Sequence, residues 1–352
     1  MGVVPFRLSQ PLRPPGLTPT RWFLTILSFA TVVGASVYIV ASSWPVGGAP
    51  LGLPVWTHLL ALACVGVELL CRVLKITFSG AAMGFPTPFG VAARTIMGGD
   101  FAASITPARS GAEPARFLVL TEAGIPVAGV LLILFVELFL EMVSLAVVAL
   151  ALALLMPRSG LLMRGLLITV LVYSSGILGA GWVAYVMAKR QANGPPPTWA
   201  RMVGLSPGRW RKIQLSLRQL RSSIGSLRRA RRGLMVAAFL SSLLHVCARL
   251  VFLPLIVYSY APATPLAPLV LWPLLLLYGA AIAPAPGGGG VVEVAFNAAL
   301  GGVLPGHVLA AALIWWRVYT FYILIAIGAI ATGRTVMRAL RKTADAPTAR
   351  AV

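Results

Sequence analysis

The sequence predicts an all-α polytopic membrane protein, and three observations carry that prediction. Of the 352 residues, 59% are hydrophobic and only 11% are charged, with a mean hydropathy of +0.90. Several apolar runs exceed the ~18 residues at which a helix becomes long enough to cross a hydrocarbon core. The net charge is +21, from 29 basic and 8 acidic residues, and much of the basic excess flanks apolar runs. That is the bias of cytoplasmic loops in membrane proteins rather than of a nucleic-acid surface, so no nucleic-acid partner is expected.

The elements follow in chain order. Residues 1–21 form a basic arm with Arg7, Arg13 and Arg21. The run at about 22–42 is too long for a typical signal-peptide core and lacks a small-x-small cleavage site, so it reads as a first membrane helix. A second helix is expected at about 55–76, with Arg72 and Lys75 as its basic cytoplasmic end. Further helices are expected at about 125–155, 161–187, 234–258 and 308–331, giving about six full spans. Segment 206–232 is basic, and Trp210, Ile213, Leu217, Leu220, Ile224 and Leu227 recur in it at three and four. It reads as an amphipathic helix on the inner leaflet, either attracting anionic lipid or serving as a plain connector. Residues 333–352 are a basic tail, and 22–332 form a single transmembrane domain.

Charge bias sets the expected orientation. The arm, the tail and the ends of the second and fourth helices are basic, while WPVGGAPLGLP between the first two helices carries no charge. Both termini are therefore expected in the cytoplasm. Two stretches, about 78–123 and 265–304, must then each begin and end on one side. Each contains helix breakers. In the first, TPARSGAEP brings Pro107, Arg109, Gly111 and Glu113; in the second, APAPGGGG brings Pro286, Gly287, Gly288, Gly289 and Gly290, with Glu293 next. Consecutive glycines and prolines break a helical hydrogen-bond ladder. Two re-entrant helical hairpins, entering from opposite sides as an inverted repeat, satisfy these constraints.

Irregular backbone inside a bilayer is tolerated when it lines a wet cavity or is buried in protein. Helix amino termini after Gly111 and Gly290 would offer N–H groups to an anion. Seven of the 8 acidic residues fall in or near the apolar segments: Glu68, Asp100, Glu113, Glu122, Glu137, Glu141 and Glu293. Charges at such depth are costly and mark functional positions by default. Glu137 and Glu141 are one turn apart and share a face. The basic counterparts are Arg109, Arg116 and Arg317. Two uses are open: guanidiniums for a phosphate with carboxylates for an amine or proton, or ion pairs that only hold helices together, such as Arg317 with Glu293 or Glu141. Cys64, Cys71 and Cys247 lie in apolar runs and read as packing residues, as do His58, His245 and His307. No zinc spacing, nucleophile elbow or phosphate-binding Walker loop occurs, so neither catalysis nor a cofactor is expected.

TPARSGAEPARFLVLTEAG, the paired acids after it, APAPGGGGVVEVAFNAAL and WWRVYTFYILIAIGA together resemble the flippase-like transmembrane domain of lysylphosphatidylglycerol synthases. The resemblance covers about 22–332 and is strongest at the Pro-Gly break and the arginine of the last helix. It implies a bacterial inner-membrane protein that moves a polar-headgroup lipid between leaflets. By resemblance, Gly111, Glu113, Pro286, Gly287–Gly290, Glu293 and Arg317 are cavity-forming positions. The expected partners are membrane lipids (phospholipid, aminoacyl-lipid, glycolipid or hopanoid), a second copy of the chain, or a lipid-synthesis enzyme. Free-standing family members include a hopanoid-associated branch. The tail of about 20 residues leaves no room for an aminoacyl-transferase domain, so lipid synthesis is not implied. The alternatives are a scaffold of a lipid-synthesis complex or a membrane-embedded lipid transferase.

Overall fold

Helix starts follow the prolines. Pro54, Pro88, Pro126 and Pro305 each sit at the N-cap of a helix with ψ near 144°. An extended proline has no N–H to lose and feeds the chain into the first turn. In the computed structural model, residues 52–106, 109–156, 160–190, 229–279 and 291–331 are described. They form α1 (Val55–Ala82), α2 (Phe89–Ile105), α3 (Ala112–Glu122), α4 (Val127–Leu155), α5 (Gly160–Arg190), α6 (Arg232–Tyr258), α7 (Leu266–Gly279), α8 (Val291–Leu300) and α9 (Gly306–Arg317). A π-helical turn, Val318–Tyr322, follows α9, and the helix then continues to Ala331. No strand occurs among the described residues. The all-α membrane class is as expected.

Among the described residues, four helices are long and apolar enough to cross a membrane: α4, the Gly160–Val183 part of α5, α6, and Gly306–Ala331. At 28 residues α1 is as long, but it carries Glu68, Arg72 and Lys75 near its centre. The expected helix at 22–42, most of segment 206–232 and the tail lie outside the described residues.

Helix α6 is the hub of the bundle, packing on α1, α4, α7 and α9. Three apolar clusters surround it. One joins α1 to α6, α8 and α9 through Val65, Phe252, Phe296 and Trp316. A second joins α1, α2 and α4 through Ile76, Ile96 and Ile133. The third joins α4, α5, α6 and α7 through Leu145, Leu166, Val246 and Leu271. Helix α5 has mostly exposed apolar side chains, such as Leu161, Leu171 and Trp182, which suits contact with lipid tails.

Each of the two broken stretches contains a pair of short helices. In the first, α2 packs on α3. The turn between them is held by Thr106, whose Oγ1 donates to Ala102 O at 2.7 Å and accepts from the Gly111 N–H at 2.8 Å. A Cβ on Gly111 would meet Thr106 Cγ2 at 2.8 Å, so the turn closes around a glycine. Glycine also allows α2 and α3 to meet at Gly99, where a Cβ would lie 2.5 Å from Arg116 Nε. Gly99→Val is therefore expected to displace Arg116 and destabilise the protein by about 1–3 kcal/mol, as overpacking does. Thermal unfolding in detergent checks this. In the second stretch α7 contacts α8. Pro107, Pro286, Gly287, Gly288, Gly289 and Gly290 lie outside the described residues.

One expectation is overturned here. Arg72 and Lys75 are not a basic cytoplasmic flank. Helix α1 continues to Ala82, and both side chains are buried, Lys75 completely. Glycine at +83° ends the helix instead, with Phe85 N–H bonded to Gly80 O at 2.9 Å and Gly84 N–H to Ala81 O at 3.3 Å. The two cations serve the interior, and charge-bias arguments must leave them out.

Candidate functional site

The buried charges of the described residues form two clusters, and the larger one joins five helices. From α1, Arg72 makes a bidentate pair with Asp100 of α2, at 2.6 and 2.7 Å. One turn before it, Glu68 accepts from Arg249 Nε of α6 at 2.7 Å. One turn after Glu68's neighbour Cys71, Lys75 Nζ lies between two acids of α4, 3.0 Å from Glu137 and 3.1 Å from Glu141. The predicted common face of Glu137 and Glu141 is thus real, and Lys75 bridges it. The other oxygen of Glu137 accepts from Arg116 of α3 at 2.9 Å, and Arg116 also reaches Glu113 at 3.1 Å. Exposure grades along the cluster: Glu68 and Glu137 are 1% exposed, Glu141 15% and Glu113 44%.

His245 lies at the edge of this cluster. Its Nδ1 is 2.8 Å from Ser242 O, an atom that only accepts, so Nδ1 carries the proton. Its Nε2 faces Glu141 at 3.9 Å, beyond hydrogen-bond reach.

The position of the cluster matters as much as its pairing. Glu68, Glu141 and His245 each fall within a residue of the midpoint of α1, α4 and α6. These helices pack on one another. Their charges therefore make one layer at half height, about 20 Å from either end at 1.5 Å per residue. Apolar clusters lie on both sides of it.

The second cluster is smaller. Glu293, in the first turn of α8, accepts from Arg317 Nε at 2.8 Å, with Nη2 at 2.7 Å from the same oxygen. Of the two partners considered for Arg317, the structure selects Glu293. The Arg317 guanidinium carbon lies 5.1 Å from the Phe321 ring centroid and 6.0 Å from that of Trp316, within cation–π range. Glu293 Oε2 and Trp316 Nε1 are buried and have no hydrogen-bond partner among the described residues. Such atoms are expensive to leave unsatisfied. The π turn begins directly after Arg317, and such turns recur at functional sites. It is also tied to α1 by a hydrogen bond between Tyr319 and His58.

The remaining predicted positions are accounted for as follows. Gly111 is the N-cap of α3, and Glu113 lies in its first turn, as Glu293 does in α8. Arg109 sits in the α2–α3 turn, half-buried, with φ of +55°. No ion pair among the described residues joins the two clusters. Arg249 goes unremarked in the sequence, and His245 reads there as a packing residue. The signal was present: a lone Arg, one turn from a His, in the middle of a long apolar run.

With both clusters in place, the comparison with known families can be weighed against them. The family described as the lysylphosphatidylglycerol synthase TM region matches residues 25–328. The chain belongs to this family. The matched range contains every charged residue of both clusters, so the lysylphosphatidylglycerol synthase TM region is the unit that carries them. Membership makes the chain a membrane protein with a lipid-related function. Comparison with curated proteins gave no match.

Proposed function

We propose that the chain moves a lipid with a polar headgroup between the leaflets of a bacterial inner membrane. The observation that carries this is the charged layer at mid-helix. Ionisable groups at the centre of a bilayer-spanning bundle are costly, and they mark routes for polar cargo. A headgroup crossing the hydrocarbon region needs donors and acceptors at that depth, and the two clusters offer both signs. The family's lipid-related function supports the same reading.

The α2–α3 and α7–α8 pairs would act as re-entrant hairpins of an inverted repeat, from opposite faces, with both termini in the cytoplasm. Glu113 and Glu293, each in the first turn of the second arm, are the matching positions. The lipid tails would remain in the bilayer while the headgroup passes. In this role the protein binds and releases without covalent chemistry, so it would not be an enzyme.

Reconstitution tests the proposal. In vesicles with a fluorescent-headgroup lipid, a membrane-impermeant quencher added outside should bleach the inner-leaflet pool when the protein is present. Quenching that stops at the outer leaflet, for phospholipid, aminoacyl-lipid, glycolipid and hopanoid probes alike, would refute it.

A further inference from the structure

His245 has one nitrogen that the ion pairs of the larger cluster leave unused. The residue is completely buried, at the middle of α6. Its Nδ1 proton goes to Ser242 O, so Nε2 carries a lone pair. Nε2 has no hydrogen-bond partner among the described residues and lies 3.9 Å from Glu141 Oε1. A lone pair facing a carboxylate sets two acceptors against each other, and no hydrogen bond forms between them. One added proton turns the contact into a charge-assisted hydrogen bond. The other oxygen of Glu141 is the one 3.1 Å from Lys75. Glu141 thus stands between an ammonium on α1 and an imidazole on α6.

The other charged groups around His245 are already engaged. From α1, Lys75 also reaches Glu137 at 3.0 Å, and Arg72 is held by Asp100 at 2.6 Å. Arg249, one turn further along α6, donates to Glu68 at 2.7 Å. Helix α7 brings no Asp, Glu, His, Lys or Arg. Helix α9 brings His307, which is exposed, and Arg317, which is paired with Glu293. Tyr319 of the π turn is bonded to His58.

Two serines extend the site along the bundle. Ser242 is one turn before His245 on α6, and Ser144 is one turn after Glu141 on α4. Both are completely buried, and neither hydroxyl has a hydrogen-bond partner among the described residues. Hydroxyls on a helix can bond to the carbonyl one turn back. Ser241 and Thr169 do so, at 2.8 and 2.9 Å; Ser144 and Ser242 do not. Helices α4 and α6 run in the same direction, since Val130 and Ala238 share one apolar cluster while Leu145 and Val246 share another. The serines therefore lie on opposite sides of the Glu141–His245 pair, each about 4.5 Å from it along the axis. A hydroxyl both donates and accepts, which suits a path for protons.

We propose that His245 and Glu141 bind a proton between Nε2 and Oε1, and that this proton couples lipid movement to the transmembrane proton gradient. The proton arrives from water on one side, forms an N–H bond with the Nε2 lone pair, and returns to water on the other side when that bond breaks. Glu141, at 15% exposure, is the more accessible of the two partners. Proton binding draws Glu141 from Lys75 towards His245, so an α1–α4 bridge is traded for an α4–α6 bridge. One carboxylate with two arrangements, selected by one proton, supplies the differential contact that shifts a conformational equilibrium. The coupling rests on the lipid-translocation reading; the proton site itself does not.

Two measurements on the full chain test the site and the coupling separately. In detergent, isotope-labelled histidine reports each imidazole nitrogen by NMR, and the signals lost in His245→Gln identify His245. Acidification should protonate Nε2. Glu141→Gln should move that step to lower pH, because the carboxylate that favours the imidazolium is gone. An imidazole that stays singly protonated at every pH at which the chain is folded, or a step that Glu141→Gln leaves in place, would overturn the proton site.

In vesicles, the lipid probes used above are brought to a steady state under an imposed gradient of about one pH unit, with the membrane potential clamped to zero. One proton per lipid should hold the two leaflets apart by up to about tenfold, since a pH unit is a factor of ten in proton activity. His245→Gln and Glu141→Gln should each return the ratio to that of a protonophore-treated control. A steady-state ratio does not depend on the rate of exchange, so slowed transport cannot imitate lost coupling. His307→Gln, exposed at the start of α9, should keep the bias. Lipid that is moved but left evenly distributed under the gradient, or a bias that both variants retain, would overturn the coupling. Protonation of His245 in a chain that moves no lipid would remove the translocation reading, and the coupling with it, and leave the proton site standing.

Discussion

Lys75→Met is expected to cost about 3–5 kcal/mol, the penalty for removing one partner of a buried ion pair. At the usual entropy of unfolding for a large domain, that is a fall of roughly 5–15 °C in thermal midpoint. The cause is the two acids left behind. Glu137 keeps Arg116, at 2.9 Å, while Glu141 loses the Lys75 ammonium that lies 3.1 Å from it. Adding Glu141→Gln to Lys75→Met should therefore restore at least half of the loss. If the double variant is no more stable than the single one, Lys75 acts through packing alone and the charge account of this layer is wrong.

The second large effect is on transport. Arg317→Gln leaves Glu293 buried at 1% exposure without its cation, and it should destabilise by a similar ~3–5 kcal/mol. The neutral pair Glu293→Gln with Arg317→Gln can still hydrogen-bond and should recover most of that stability. The two roles of the pair then separate. If it contacts headgroups, the neutral double variant stays folded and moves lipid at least about tenfold more slowly in vesicles, about 1.4 kcal/mol or more in barrier height. If it only holds α8 to α9, transport returns together with stability.

How much of this was legible in the sequence depends on the range of the interaction. The class was plain, because apolar length needs no tertiary information. The common face of Glu137 and Glu141 was plain for the same reason: i and i+4 meet within one helix. The pairing of Glu293 with Arg317 could be named only as one of two options, since the two residues are 24 positions apart on different helices, and the packing of those helices decides whether they meet. Arg72 and Lys75 were misread because their acids, Asp100, Glu137 and Glu141, come from α2 and α4. A cation at the end of an apolar run looks like a membrane flank until its partners are known. Helix α1 ran past its expected end at 76 because Arg72 and Lys75 were internally paired and Gly84, not the charges, supplied the stop. Helix starts were legible at the prolines: Pro126 moves the start of α4 from the expected 125 to Val127.

The central claim is that a lipid headgroup enters the charged layer. The most direct measurement is photocrosslinking in membranes with two lipids that differ in where the reactive group sits, on the headgroup or at the end of an acyl tail. Peptide mapping then reads the labelled residues. The account predicts headgroup-probe labels beside Glu68, Glu141 and His245, at the middle of α1, α4 and α6, and tail-probe labels on the exposed apolar face of α5. Headgroup labels confined to helix ends, with the mid-helix charges untouched, would contradict it.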